Sequence, residues 1–256
     1  MAVRKMFFLP CGYIDIDQST MTAGAGMGET VRAPVLSALL STDDGWVLVD
    51  TGLNPEGLES PERAWGPRAR VVRPAMTKQD DIRERLRELD VSVGDVRVVV
   101  NTHLHWDHTG GNRFFRESEF IVQKAEYRFA LHPDGHLSAA YMENHFRHPL
   151  NYRLVEGAME VVPGVSVIPT PGHTAGHQSV VVMLADAPAV VWCGDAVYCY
   201  ASLEGPVPPG HCWSQSFAVN SIQHILSLRA LLGARLVPGH EPNLWNDFVP
   251  SPTSYA

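Results

Sequence analysis

VVVNTHLHWDHTGGN, residues 98–112, sets an apolar β-branched run directly against a dense polar cluster. His103, His105, Asp107 and His108 fall within six positions. A core strand needs apolar side chains and an ordinary turn needs Gly, Asn, Asp or Pro, so packing explains neither the imidazoles nor their spacing. Neutral imidazole and carboxylate are the donors that bind zinc and neighbouring divalent ions. In His103-x-His105, side chains two apart on a nearly extended segment reach one point. Asp107 and His108 follow in a turn that aims them at a second point close by.

The same pattern recurs along the chain. An apolar strand ends in a polar residue of this kind at Asp50 (WVLVDTG), His173 (VSVIPTPGH), Asp195 (VVWCGD) and His240 (RLVPGH). Strand ends carrying reactive side chains gather at one edge of paired sheets, which is how α/β proteins build sites. Adding His173, Asp195 and His240 to the cluster gives five histidines and two aspartates, more than one tetrahedral ion needs. That number suits two metals sharing a bridging carboxylate. The other histidines, His132, His136, His145, His148, His177, His211 and His224, read as ordinary surface or core residues.

The intervening segments alternate between strand and helix signals. MFFLP reads as a first strand, and PVLSALLSTDDGWVLVDTG (34–52) as two strands joined at Asp43-Asp44-Gly45. In 77–90, Ile82, Leu86 and Leu89 recur at helical spacing, predicting an amphipathic helix. FIVQ is a strand and KAEYRFALH a helix; 133–151 has no clear period. VEGAMEVVPGVSVIPT and QSVVVMLADAPAVVWCGD each read as strand, turn, strand. FAVNSIQHILSLRALLGA (217–234) predicts a helix with Ile222, Ile225, Leu226 and Leu232 on one side and Gly233 near its end, and RLVPGHE a last strand.

Over 256 residues the chain is 45% hydrophobic and 19% charged, the composition of a soluble globular protein with a sizeable core. A formal net charge of −8 argues against nucleic-acid binding, which needs a basic footprint. No apolar run approaches the roughly 18 residues of a membrane span, and MFFLP is shorter than the roughly 7 residues of a signal-peptide core. Cys11, Cys193, Cys199 and Cys212 form no CxxC pair, so reduced thiols and a cytoplasmic location are expected.

HLHWDH, with TPGHTAGH, GDAVY and PGH following at these separations, resembles the metallo-β-lactamase superfamily. LPCGYIDID, WVLVDTG, HLHWDHTGGN, LNYRLVEG, EVVPGV, TPGHTAGHQS and GDAVY together resemble its N-acyl-homoserine lactone lactonases, the quorum-quenching branch. Asp195 followed three residues later by Tyr198 is what points to that branch. The resemblance implies an α/β fold, the αβ/βα four-layer sandwich of two mixed β-sheets flanked by helices, as a single domain over 1–256. It implies one ion on His103, His105 and His173, a second on Asp107, His108 and His240, and Asp195 bridging. Two divalent ions are then expected, Zn2+ first, with Co2+, Mn2+ and Fe2+ able to take the same donors. Asp50 and Glu241 would support the ligands from behind.

The activity so implied is hydrolytic opening of the lactone ring of N-acyl-homoserine lactones by a hydroxide bridging the two ions. A pair roughly 3.5–4 Å apart makes such a hydroxide near neutral pH. Tyr198 would hydrogen-bond the developing oxyanion, and Asp107 is the candidate to protonate the departing alkoxide. Trp106 and Met21 are expected to line the substrate site, with Met27 and Trp65 as further apolar wall. No nucleic-acid or membrane partner is expected; the assembly is a monomer or homodimer. Two stretches depart from the branch: Gly239-His240-Glu241, where the lactonases more often carry Asp, and LEGPVPPGHCWSQS (203–216), which does not align and is expected near the substrate. The alternatives are a glyoxalase II-like thioesterase, an organophosphate or arylester hydrolase, and a non-catalytic metal-binding scaffold. The scaffold is disfavoured because every expected ligand is present.

Overall fold

Period-2 alternation along a strand assigns successive side chains to opposite faces, and here both faces of the central strands are apolar. The computed structural model describes residues 3–256 apart from the side chain of Arg68. It places β1 (Lys5–Asp17), β2 (Thr30–Thr42), β3 (Gly45–Val49), β4 (Arg73–Ala75), β5 (Val96–Val100), β6 (Glu119–Gln123) and β7 (Asn151–Val155) in one seven-stranded sheet, ordered β4-β1-β2-β3-β5-β6-β7. β8 (Met159–Val162), β9 (Val165–Pro169), β10 (Gln178–Val182), β11 (Val190–Gly194) and β12 (Arg235–Pro238) form a five-stranded sheet, ordered β12-β11-β10-β9-β8. Both are mixed. β3, β5, β6 and β7 run parallel while β1, β2 and β3 pair antiparallel. β11 is parallel to β12 and antiparallel to β10.

The alternation sorts the layers. Val47, Val49, Val98 and Val100 of the larger sheet share one buried cluster with Val165, Val167, Val180, Val182, Val190 and Trp192 of the smaller. The residues between them face outward. Leu48, Val99 and Phe120 pack with Ile82 and Leu86, whereas Val181, Val191 and Cys193 meet Ile222 and Ile225 of the Gln215–Leu232 helix. Each such side chain contributes about 1.5–3 kcal/mol on full burial. The result is helix, sheet, sheet, helix, the four-layer sandwich expected.

Three local expectations shift. The helix expected over 77–90 is confined to Ile82–Arg87, after a 3-10 turn over Lys78–Asp80. The acids at its start cap instead of continuing the helix: Asp80 accepts from the Thr77 N–H and hydroxyl, and Asp81 from the Arg83 N–H. β7 falls where no strand is expected from the sequence; it is an edge strand with mostly exposed side chains, so burial imposes no apolar pattern on it. Residues 133–151 carry only short turns, Ser138–Ala140 and Glu143–Phe146, of which His145 and Phe146 are buried. The C-terminal helix ends on Gly233 as expected, in the left-handed conformation that glycine adopts without steric cost.

Candidate metal centre

β3, β5, β9, β11 and β12 all run out at the same rim, which brings Asp50, the 103–108 loop, His173, Asp195 and His240 together, all buried. Two sets of donors result. His103, His105 and His173 converge, with His105 Nδ1 3.0 Å from His173 Nε2. Asp107, His108 and His240 form the other, with Asp107 Oδ2 3.7 Å from His108 Nε2 and 3.6 Å from His240 Nε2. The Asp195 carboxylate lies between them. Its Oδ2 is 3.4 Å from His173 Nε2, 3.9 Å from His103 Nε2 and 3.3 Å from His240 Nε2, and its Oδ1 is 3.3 Å from His108 Nε2. Gly239 permits this, since a Cβ there would stand 2.7 Å from Asp195 Oδ1.

The ring nitrogens facing away from the centre are held by the fold. His108 Nδ1 pairs with Asp50 Oδ2 at 3.0 Å, His103 Nδ1 with the Thr102 hydroxyl at 3.1 Å, His173 Nδ1 with the His211 carbonyl at 3.2 Å and His240 Nδ1 with the Pro34 carbonyl at 2.9 Å. Such bonds fix tautomer and ring orientation, leaving the other nitrogen aimed inward. Asp50 also accepts from the Thr102 N–H and hydroxyl, each at 2.8 Å. It does so from a left-handed backbone, φ 57°, which a non-glycine residue adopts at a cost that clusters at functional sites.

Electrostatics separate the members. Burial pushes His103 and His173 well below the ordinary imidazole range, keeping them neutral. Burial acts on His108 too, but Asp195, Asp107 and Asp50 outweigh it and hold this ring well above that range. Burial would raise Asp195, yet His240 and His108 beside it keep the carboxylate well below its usual range.

The donors fit divalent cations. His103 Nε2, His108 Nε2, His240 Nε2 and Asp195 Oδ1 are buried without a hydrogen-bond partner in the protein, and one unsatisfied buried polar atom already costs about 1–3 kcal/mol. Four such atoms within two compact sets make sense when a cation satisfies them, and imidazole with carboxylate is a zinc-type donor set. Asp50→Asn tests the support behind this arrangement. Asparagine tolerates the left-handed backbone but presents an amide where the carboxylate accepts from three donors. Expected is a loss of about 10–100-fold in metal affinity, read by competition with a chromophoric chelator. Unchanged affinity would show that Asp50 is only a turn residue.

A narrow cavity of about 30 Å³ reaches the centre, walled by Ile14, Ile16, Val72, Trp106, Tyr198 and His211 among others. Trp106 and Tyr198 both line this cavity beside the donor sets. His211 places part of the unaligned 203–216 stretch at the site. Met21 is buried but lines a neighbouring cleft of about 520 Å³ with Val31, Cys199 and Glu241. Met27 is 88% exposed, and Trp65 is buried in the core with its indole N–H donating to the Asn54 carbonyl. Glu241 contacts backbone, accepting from the Tyr200 and Asn243 N–H groups.

His177, read from the sequence as an ordinary residue, is built into the support. Burial pushes it down to about 4, so the neutral ring accepts from the Asp195 N–H at Nε2, 3.0 Å away, while Nδ1 pairs with the Thr170 hydroxyl. The spacing of TPGHTAGH was its only signal. Among the described residues, no helix is long and apolar enough to cross a membrane.

The two donor sets around a shared aspartate, at the rim of two sheets flanked by helices, define the class: the chain belongs to the metallo-β-lactamase superfamily, whose model matches residues 31–240. Within it the kinship is with the N-acyl homoserine lactonases. The chain is similar to one from Bacillus sp., 38% identical over 213 residues, which are 81% of this chain and 82% of that relative. It is also similar to N-acyl homoserine lactonase AttM of Rhizobium johnstonii, 29% identical over 259 residues and 98% of each chain. A solved structure of an N-acyl homoserine lactone hydrolase, with the product N-hexanoyl-L-homoserine bound at its catalytic metal center, matches with a TM-score of 0.91. It is 31% identical in sequence and the match covers 99% of this chain and 100% of that one.

Proposed function

We propose that the protein is a metal-dependent hydrolase that opens the ring of N-acyl-homoserine lactones, acting as one domain over 1–256. His103, His105 and His173 would hold one Zn2+, and Asp107, His108 and His240 a second, with Asp195 shared. The observation that carries this is the pair of buried donor sets, in which His103 Nε2, His108 Nε2, His240 Nε2 and Asp195 Oδ1 have no hydrogen-bond partner in the protein, at the end of a cavity walled by Trp106 and Tyr198. When bound, such a pair supplies Lewis acidity for the carbonyl oxygen and a water acidified toward hydroxide.

The chain's own residues do the rest. Trp106, Ile14, Ile16 and Val72 give the approach to the centre an apolar wall that limits the water reaching it. Tyr198 donates a hydrogen bond to the carbonyl oxygen as negative charge develops there. Asp107, which also lines the cavity, is placed to take the proton released by the attacking water and pass it to the departing ring oxygen. Asp50, Thr102 and the carbonyls of Pro34 and His211 keep the imidazoles aimed throughout.

The test is proton release from a panel of short- and long-chain homoserine lactones beside a thioester and a phosphotriester, before and after chelation. Fast opening of the lactones, abolished by chelation and restored by Zn2+, is the expected result. Preference for the thioester or phosphotriester would replace the substrate assignment. Full activity after demonstrated removal of metal would sink the whole proposal.

A further inference from the structure

Outside the donor sets, one buried carboxylate is unusually well connected. Glu126, in the first turn of the Lys124–Leu131 helix, is fully buried. Its Oε1 accepts from the Leu104 N–H at 3.0 Å and the Tyr141 hydroxyl at 3.2 Å. Its Oε2 accepts from the Thr174 hydroxyl at 2.6 Å and the Gly176 N–H at 3.1 Å. Leu104 sits between His103 and His105, and Thr174 directly follows His173. Tyr141 stands edge-on to His105, ring centroids 4.7 Å apart. At Gly176 a Cβ would lie 2.0 Å from the Glu126 nitrogen, so this loop seats directly on the helix.

The three histidines of this set therefore come from two different sheets. His103 and His105 follow β5 of the larger sheet, and His173 follows β9 of the smaller. Between the sheets lies apolar packing, which is non-directional and sets no register to a fraction of an ångström. A donor set must hold its geometry to within about 0.5 Å. Hydrogen bonds to an anion are directional and roughly twice as strong as neutral ones. Glu126 supplies four of them, two to each oxygen, spanning both loops.

We propose that Glu126 is a positioning residue: its carboxylate clamps the His103–His105 loop to the His173 loop and sets the spacing of that donor set. It acts on them through the N–H groups of Leu104 and Gly176 and the hydroxyls of Thr174 and Tyr141. The inference rests on the assignment of this set as a metal site, not on the identity of the substrate. Glu126→Gln keeps the shape but turns one oxygen into a donor facing two donors. Glu126→Asp keeps the charge but is one methylene short of spanning the loops.

The experiment removes Zn2+ stepwise from the loaded protein with a chromophoric chelator, beside circular dichroism and the melting temperature. In Glu126→Gln one of the two ions is expected to bind about 10–100-fold more weakly while the other changes less than about threefold, with Glu126→Asp intermediate. A purely structural role would lower the melting temperature and leave both affinities as in the wild type. That result, or an equal loss at both ions, overturns the proposal. Should Glu126→Gln fail to fold, Thr174→Val deletes one of the four bonds; a smaller but still one-sided loss is expected, and wild-type binding of both ions overturns the clamp. No substrate enters these measurements. Wild-type protein that opens no lactone would therefore sink the lactonase assignment and leave the clamp standing.

Discussion

Asp195→Ala is expected to release both ions and to take lactone hydrolysis with them. The Asp195 carboxylate lies within 3.9 Å of His103, His173, His108 and His240 at once, which no other acid does among the described residues, and its charge faces all four imidazoles. Deleting one partner of a buried charged set costs about 3–5 kcal/mol, roughly a 10²- to 10⁴-fold loss of occupancy. The fold should survive. Asp195 anchors its loop through a backbone N–H to His177 Nε2, which alanine retains, and β11 and β12 on either side are held by their own ladder. Asp195→Asn refines the result, since it keeps shape and backbone bond while removing the charge. Metal content by mass spectrometry and proton release by pH-stat read both variants. Retention of two ions with near-native turnover in Asp195→Ala would mean that the two sets are independent or empty in function.

How far such a centre can be read from sequence depends on which atoms do the binding. The donors were legible because each is a polar, metal-binding side chain following an apolar β-branched run: His103 after VVVNT, Asp195 after VVWCG, His240 after RLVPG. The layers were legible for a related reason. Val98 and Val100 face one way and Val99 the other, so a continuously apolar strand already announces burial on both sides. Glu126 and His177 were not legible as supports, because the contacts that tie them to the donor loops run largely through backbone groups. Glu126 binds the N–H of Leu104 and Gly176, and His177 the N–H of Asp195. Neither contact leaves a trace in residue type, and Glu126 looks like any acid in a first helical turn. Loop side chains were poorly placed for a different reason. Met21 and Met27 lie in segments without a period, so nothing fixed their direction, and one proved buried beside a neighbouring cleft and the other exposed.

Tyr198→Phe should leave both ions in place and lower kcat for lactones by about 10²–10³-fold, the usual consequence of removing one donor to a developing oxyanion. The prediction isolates a single hydroxyl because everything else about Tyr198 is kept by phenylalanine. Its ring lies 5.0 Å from that of His240 and 5.4 Å from that of His173, packing a benzyl group preserves. Its carbonyl accepts from the His240 N–H, a bond indifferent to the side chain. Metal affinity therefore changes little, and KM changes far less than kcat, because the charge that the hydroxyl meets exists only in the transition state. A wall residue would behave in the opposite way, with KM rising and kcat held. The comparison with Asp195→Ala is informative, since that variant loses activity with its metal and this one is expected to lose activity despite it. Equal lactone rates in Tyr198→Phe and wild type, both fully loaded, would reduce Tyr198 to packing and leave polarisation of the carbonyl to the metal pair alone.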